Sequence, residues 1–251
     1  MMECHDVLVH VGEEGRITAR LSFGDIVRLL FRLRGRTIRF GVNGKEIGEV
    51  KTARDGSATI LYTPRHEREY RAVATYQRPR RTERVTAEAT IFSRSTSREA
   101  IILDVDRTLF ASSTLSAIFR KSRSIQPLED AVEVTRALAC KYDLIIVTGR
   151  KSYLRHKTKR WLRDRGFPAA PVYFAPPFRP SLSHERFKVE LIRQLKAAWE
   201  NITIGVGDRD SDARAYRSNH LKAIILREKG HCPPGAVVVP DWQSIRDMLL
   251  G

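Results

Sequence analysis

The chain has 251 residues, 42% of them hydrophobic, and its 45 lysines and arginines against 29 acids leave a net charge of +16. Such length and apolar content fit one or two globular domains with proper cores and exclude a disordered polyelectrolyte. No apolar run approaches the roughly 20 residues that span a bilayer, the first residues lack the basic region of a secretory signal, and the three scattered cysteines make no disulfide framework. A cytoplasmic protein without a transmembrane segment is expected. Its basic excess runs through both halves and suits polyanions: nucleic acid, an anionic membrane or phosphorylated small molecules.

The first hundred residues predict β structure. Short alternating or apolar stretches cover Val7–Val11, Ile17–Phe23, Ile38–Val42, Ala58–Tyr62, Arg71–Tyr76 and Val85–Phe92. Turn signals separate them, among them Gly12-Glu-Glu-Gly15, Asp55-Gly56 and Thr63-Pro64. Strands at this spacing suggest a sandwich. Asn43-Gly44, before Ile47–Val50, is a hairpin turn whose two central residues must both accept positive φ. Asp25–Leu33 suits either a strand or a short helix. The stretch from Val42 to Tyr76, with its hairpin, its aspartate-glycine turn and a final Tyr-x-Val-x-Ala-x-Tyr strand, resembles bacterial immunoglobulin-like repeats. That resemblance implies an immunoglobulin-like β-sandwich over residues 1–97.

Ser93–Arg98 is polar and small and reads as a linker. From Ala100 the pattern alternates: strand Ile101–Val105, helix Leu128–Leu138, strand Leu144–Val147, helix Ser152–Arg165, strand Val172–Phe174, helix Glu185–Trp199, strand Ile202–Val206, helix Asp210–Asn219 and strand Ala223–Leu226. Alternation of this kind predicts an α/β domain over 98–251, a parallel sheet with helices on both faces.

In such sheets the active site lies beyond the carboxyl ends of the strands. Polar residues gather there: Asp104-Val-Asp106-Arg-Thr108 after the first strand, Thr148-Gly149-Arg150 after the second, and Gly207-Asp208 with Asp212 after a later one. Lys188 stands near the start of the helix that precedes that last strand. Each signal alone has a plain structural use: aspartates open turns, threonine caps helices, and lysines populate exposed helix faces. Their joint order, with gaps of 44, 40 and 20 residues from 104 to 148, 188 and 208, leaves room for one or two βα units between each pair. A carboxylate nucleophile beside a phosphate needs a hard cation and a lysine to offset the charge, and phosphoryl transfer is mostly positioning and electrostatics.

These residues resemble the four motifs of the haloacid dehalogenase (HAD) superfamily. The resemblance implies a Rossmann-like domain, a phosphomonoester hydrolase acting through an aspartyl-phosphate. Asp104 would be the nucleophile and Asp106 the acid and base, with a pKa above that of Asp104. Thr148 and Lys188 would bind the phosphoryl oxygens, and Thr108, Gly149 and Arg150 would add substrate contacts. Asp104, Asp106 through its carbonyl, and Asp208 would hold Mg²⁺, with Asp212 in support. Arg107 departs from the pattern, since many relatives carry glycine or a small residue there. Gly205–Tyr216 and the strand Leu221–Leu226 further resemble lipin-type phosphatidate phosphatases and their relatives in lipid-transfer proteins.

Neither gap between the first three motifs accommodates a large cap domain, which points to a large or surface-bound phosphoester such as phosphatidate. The helix after Thr148 carries Lys151, Arg155, His156, Lys157, Lys159, Arg160, Arg163 and Arg165. Those cations could dock an anionic substrate, so phosphorylated nucleic-acid ends are the alternative; a solvated face with Tyr153, Trp161 and Leu162 packed inward is the plainer expectation. A non-catalytic phosphate-recognition module is the third reading. Dispersed histidines and cysteines offer no zinc spacing.

Overall fold

A computed structural model of the protein describes residues 2–21, 33–78, 83–111, 125–176 and 184–251. The chain divides into two compact units, Met1–Ser95 and Thr96–Gly251. The segment Asp25–Leu33, readable as strand or helix, lies outside the described residues except for Leu33, and so does most of the proline-rich loop after Phe174.

The first unit contains β1 (Met2–Cys4), β2 (Val7–His10), β3 (Gly15–Leu21), β4 (Thr37–Val42), β5 (Lys45–Lys51), β6 (Ser57–Tyr62), β7 (Glu69–Gln77) and β8 (Arg84–Arg94). They form two sheets, β1-β3-β6 and β2-β8-β7-β4-β5. Every pairing is antiparallel except β2 with β8. Alternate residues of both sheets feed one core: Ile17, Ala19 and Leu21 from β3, Ile38, Phe40 and Val42 from β4, and Tyr70, Ala72, Ala74 and Tyr76 from β7. This period of two is what the strand pattern demands of a half-buried sheet. Asn43 and Gly44 take φ of 50° and 82° between paired Val42 and Lys45, as the hairpin requires. Ser93 and Arg94, expected in the linker, instead finish β8, because they pair with Val9 and His10 and Ser93 is fully buried.

The second unit contains β9 (Ala100–Leu103), α1 (Ala131–Lys141), β10 (Asp143–Lys151), α2 (Arg155–Asp164), β11 (Val172–Ala175), α3 (His184–Ala198), β12 (Ile202–Gly207), α4 (Asp210–Arg217), β13 (Lys222–Leu226), β14 (Ala236–Val239) and α5 (Trp242–Leu250). All six strands run parallel in the order β11-β10-β9-β12-β13-β14. Both faces of the sheet are buried. Ile101 and Leu103, Leu144 and Ile146, and Ile224 and Leu226 join one core with α1 and α5, while the intervening Ile102, Ile145 and Ile225 are equally buried on the other side. That explains the unbroken apolar runs of these strands. On the opposite side α3 packs with α4, and α4 reaches β12 and β13. No helix among the described residues is long and apolar enough to cross a membrane.

Two helices start three residues later than the sequence reading places them. Helix α1 starts at Ala131 rather than Leu128, because Asp130 takes φ 57°. Ser152–Leu154 forms a separate 3₁₀ turn ahead of α2. This turn shifts the helical phase, so Arg155, Thr158, Trp161 and Leu162 face inward while Tyr153, expected inside, is 56% exposed. Arg155, expected on the basic face, lies over the Phe174 ring at 5.1 Å. Trp161 packs on Phe110 and Phe167 and donates its indole N–H to the Ile125 carbonyl.

Candidate active site

After β9 the chain runs to one side of the sheet through β10 and β11, then returns to the other side with β12, so the strand order reverses between β9 and β12. A crevice forms at the carboxyl ends of strands at such a reversal. The Asp104 N–H donates to the Val206 carbonyl at 2.9 Å and fastens the end of β9 to β12. The chain then turns tightly: Leu109 N–H bonds the Val105 carbonyl, Arg107 N–H bonds that of Phe110, and Arg107 adopts φ 61°. That left-handed backbone favours glycine, so Arg107 holds a side chain where glycine would be least strained.

The turn sends its two aspartates in different directions. Asp104 faces the β12 side, where Lys188 Nζ donates to its Oδ1 at 2.6 Å and to Asp212 Oδ1 at 2.5 Å. The second oxygen of Asp212 accepts the backbone N–H groups of Asp208 and Arg209. Asp106 faces β10, where Arg150 Nε and Nη2 grip its two oxygens at 3.0 and 3.1 Å. Arg150 Nη1 donates to Thr158 Oγ1, and the guanidinium lies 4.3 Å from the Phe110 ring centre. All of Asp104, Asp106, Arg150, Lys188 and Asp212 are buried.

Glycines make the close approach possible. A Cβ on Gly207 would lie 2.7 Å from Asp212 Cβ and Oδ2, and one on Gly205 would lie 2.4 Å from the Tyr216 ring. Only a bare backbone lets α4 press against β12 and bring Asp212 to Lys188. Tyr216 locks that contact by donating its hydroxyl to the Val206 carbonyl at 2.9 Å, and burial pushes the phenol pKa well up.

Electrostatics at the two sides differ. Burial, together with the nearby Asp212 carboxylate, outweighs Lys188 and pushes Asp104 up to about 7. Burial and Asp212 likewise push Asp208 up to about 6, against Arg209, Lys188 and Arg107. Burial also works against the charge of Lys188, but Asp104 and Asp212 overcome it and hold the ammonium pKa above its ordinary value. For Arg150 burial prevails over Asp106, and its pKa lies below the usual guanidinium value.

A divalent cation fits these residues. One ligand oxygen each from Asp104, Asp208 and Asp212 lie within 4.8 Å of one another, and no second cluster of this kind occurs among the described residues. Asp208 Oδ1 is buried without a hydrogen-bond partner. Four carboxylates (Asp104, Asp106, Asp208, Asp212) face two buried cations, Lys188 and Arg150. Arg209 stands 3.8 Å from Asp208 as well, so the acids still outnumber the cations, and a divalent ion would remove the penalty that raises Asp104 and Asp208. Because both oxygens of Asp212 are already engaged, Asp104 and Asp208 are the carboxylates available to it.

The remaining residues singled out in the sequence fall around this centre. Gly149 lines the cleft with Asp104, Asp106, Lys188, Arg209, Ser211 and Asp212. Thr148 is fully buried, and its Oγ1 accepts the Arg150 N–H at 3.2 Å. Thr108 is fully buried as well; its Oγ1 has no hydrogen-bond partner, while its carbonyl accepts the Trp242 indole N–H. Arg150 sits behind Asp106 with its donors on Asp106 and Thr158. Sequence reasoning did not single out Arg209 and Ser211; their only signal was their place inside the Gly207–Asp212 motif.

Several solved structures resemble parts of the chain. The fibronectin(III)-like modules of Clostridium thermocellum CbhA are 17% identical over 38% of this chain and 98% of theirs, with a TM-score of 0.27. The CARDB domain of PF1109 from Pyrococcus furiosus is 16% identical over 38% and 93%, with a TM-score of 0.28. The core domain of a putative phosphoglycolate phosphatase from Streptococcus pneumoniae TIGR4 is 14% identical over 61% and 96%, with a TM-score of 0.37. No curated protein matches the chain. Residues 101–225, the span from β9 to β13 that holds every member of the buried cluster, match the family model of the PITM 1-3, LNS2 domain.

Proposed function

We propose that residues 98–251 form a HAD-type phosphatase domain, a Mg²⁺-dependent phosphomonoester hydrolase acting through an aspartyl-phosphate, and that residues 1–97 form an immunoglobulin-like module. The match of residues 101–225 to the LNS2 domain supports a phosphatase related to that group. The observation that carries the mechanism is Lys188 bridging Asp104 and Asp212 beside the Asp208 oxygen that makes no hydrogen bond.

Asp104 and Asp208, with the backbone carbonyl of Asp106, would hold Mg²⁺, which supplies charge neutralisation for the phosphoryl oxygens. Lys188 adds a second positive charge, held in place by Asp212. The Asp104 oxygen that does not hold the metal attacks phosphorus, the bond to the ester oxygen breaks, and Asp106 gives that oxygen a proton. Asp106 then takes a proton from water as the water oxygen attacks phosphorus and the bond to Asp104 breaks, which releases phosphate. Arg150 orients Asp106, and Thr148 and Gly149 border the phosphoryl group. The short gaps between Thr108, Thr148 and Lys188 favour a large or surface-bound phosphoester, with phosphatidate as the candidate.

The test is phosphate release from p-nitrophenyl phosphate, phosphatidate and 3′- and 5′-phosphorylated oligonucleotides, with Mg²⁺ or EDTA, in the wild type and Asp104→Asn. Turnover should need both magnesium and Asp104. Equal turnover in Asp104→Asn would refute the nucleophile. Silence across the panel, in a folded protein that binds magnesium, would favour a recognition module.

A further inference from the structure

A second groove, of about 690 Å³, adjoins the cleft and shares Arg209 and Ser211 with it. It opens beside Asp208, and its walls carry five basic side chains, Arg107, Arg209, Arg214, Arg227 and Lys229, against the two carboxylates Asp208 and Asp210. Two of the five are committed elsewhere. Arg214 forks onto Glu185 at 3.0 and 2.7 Å, and Arg227 binds Asp210 Oδ1 and the Asp208 carbonyl. Arg209 Nε stands 3.8 Å from Asp208 Oδ1, the oxygen assigned above to the cation. Among the described residues neither Arg107 nor Lys229 has an ion-pair partner. Arg107 also keeps a side chain at φ 61°, a left-handed backbone that favours glycine.

We propose that Arg107, Arg209 and Lys229 form an anion subsite for a second phosphate on the same substrate, so that compact bisphosphorylated molecules or headgroups are preferred over a monophosphate such as phosphatidate. The substrate class rests on the hydrolase reading; the binding of a second phosphate does not. Three cations with few competing acids suit a phosphate dianion, for which charge-assisted hydrogen bonds are the strong ones. The volume falls within the range of small-ligand sites. Among the described residues Leu226 is the one apolar member of the lining and no aromatic side chain is there to stack a base, which disfavours single-stranded nucleic acid.

The experiment compares fructose 1,6-bisphosphate with fructose 6-phosphate, using kcat/KM with Mg²⁺ and equilibrium binding to Asp104→Asn. The same measurements are repeated in the Arg107→Gly/Lys229→Ala background. Glycine suits φ 61°, so this pair of changes should preserve the fold, and a thermal melt checks that. The expected result is a preference for the bisphosphate of about 10- to 100-fold, the worth of one or two charge-assisted hydrogen bonds, which falls towards unity in the double variant. Equal handling of the two sugars, or a preference that the double variant retains, would overturn the subsite. If no phosphoester is turned over, the hydrolase reading fails and the binding arm alone decides the subsite. A 3′-phosphorylated oligothymidylate bound better than the bisphosphate, and weakened by the same two changes, would overturn the assignment to compact bisphosphates.

Discussion

On the β10 side of the cleft one cation serves one carboxylate: Arg150 grips both oxygens of Asp106 and is itself braced by Thr158 and the Phe110 ring. On the β12 side Lys188 is shared between Asp104 and Asp212, and Asp208 keeps an oxygen without a hydrogen bond. The planar fork satisfies its partner geometrically, whereas the ammonium is a point charge spread over too many acids. The first side therefore fixes a side chain, and the second is left in need of a cation. Asp104 and Asp106, only two residues apart, end in these different surroundings because the tight turn at Arg107 lies between the strand end and Phe110.

The largest expected effect comes from breaking the shared cation. Lys188→Met leaves Asp104 and Asp212 buried without a counter-charge, and metal-free stability should fall by about 3–5 kcal/mol in urea unfolding. A loss below 1 kcal/mol would show that the two acids do not depend on Lys188. Next comes Gly207→Ala, whose Cβ meets Asp212. A cost of about 1–3 kcal/mol is expected, together with weaker Mg²⁺ binding by calorimetry, because Asp212 is pushed off Lys188. Arg150→Lys keeps the charge but loses the fork. It should cost about 1–2 kcal/mol and lower kcat more than it raises KM, with Mg²⁺ affinity unchanged; a fall in Mg²⁺ affinity would erase the contrast between the two sides.

The subtlest test is pH. Asp104 and Asp208 titrate near 7 and 6 in the fold against an ordinary value of 3.8. The folded, metal-free protein therefore binds more protons than the unfolded chain between about pH 4 and 7. Their contribution is largest below that window and declines as pH rises through 6 and 7. Urea midpoints in EDTA should thus drop across this range, and Mg²⁺ should restore more stability at pH 8 than at pH 5. A midpoint that rises from pH 5 to 7 in EDTA would contradict the raised carboxyls. Acids whose pKa is lowered, such as Asp241 at the start of α5, act in the opposite sense and at more acidic pH.

Much of this architecture was legible from short-range pattern. The Asn43-Gly44 turn, the alternation of β3, β4 and β7 and the two-sided apolar runs of β9 and β10 follow from local chemistry. Two C-terminal elements were not read. Strand β14 is a four-residue edge strand with one buried position, too short for periodicity to register. Helix α5 did carry a signal, since Asp241 caps it by accepting the Ser244 N–H at 2.8 Å. At the cleft, spacing along the chain could place polar residues at strand ends but not aim them. Whether Arg150 pointed to substrate or back to Asp106 depended on Thr158, a helix away. The phase of α2, which exchanged Tyr153 for Arg155 in the interior, depended on a single 3₁₀ turn.

The measurement that bears most directly on the chemistry is mass spectrometry of Asp106→Asn after mixing with p-nitrophenyl phosphate and Mg²⁺. That leaving group needs no proton, so attack by Asp104 proceeds, while release by water lacks its base. The expected result is a burst of p-nitrophenol equal to the enzyme present, with a phosphoryl group retained on the peptide that contains Asp104. Sustained turnover at the wild-type rate, or a phosphoryl group on any other residue, would contradict Asp104 as the nucleophile and Asp106 as the base.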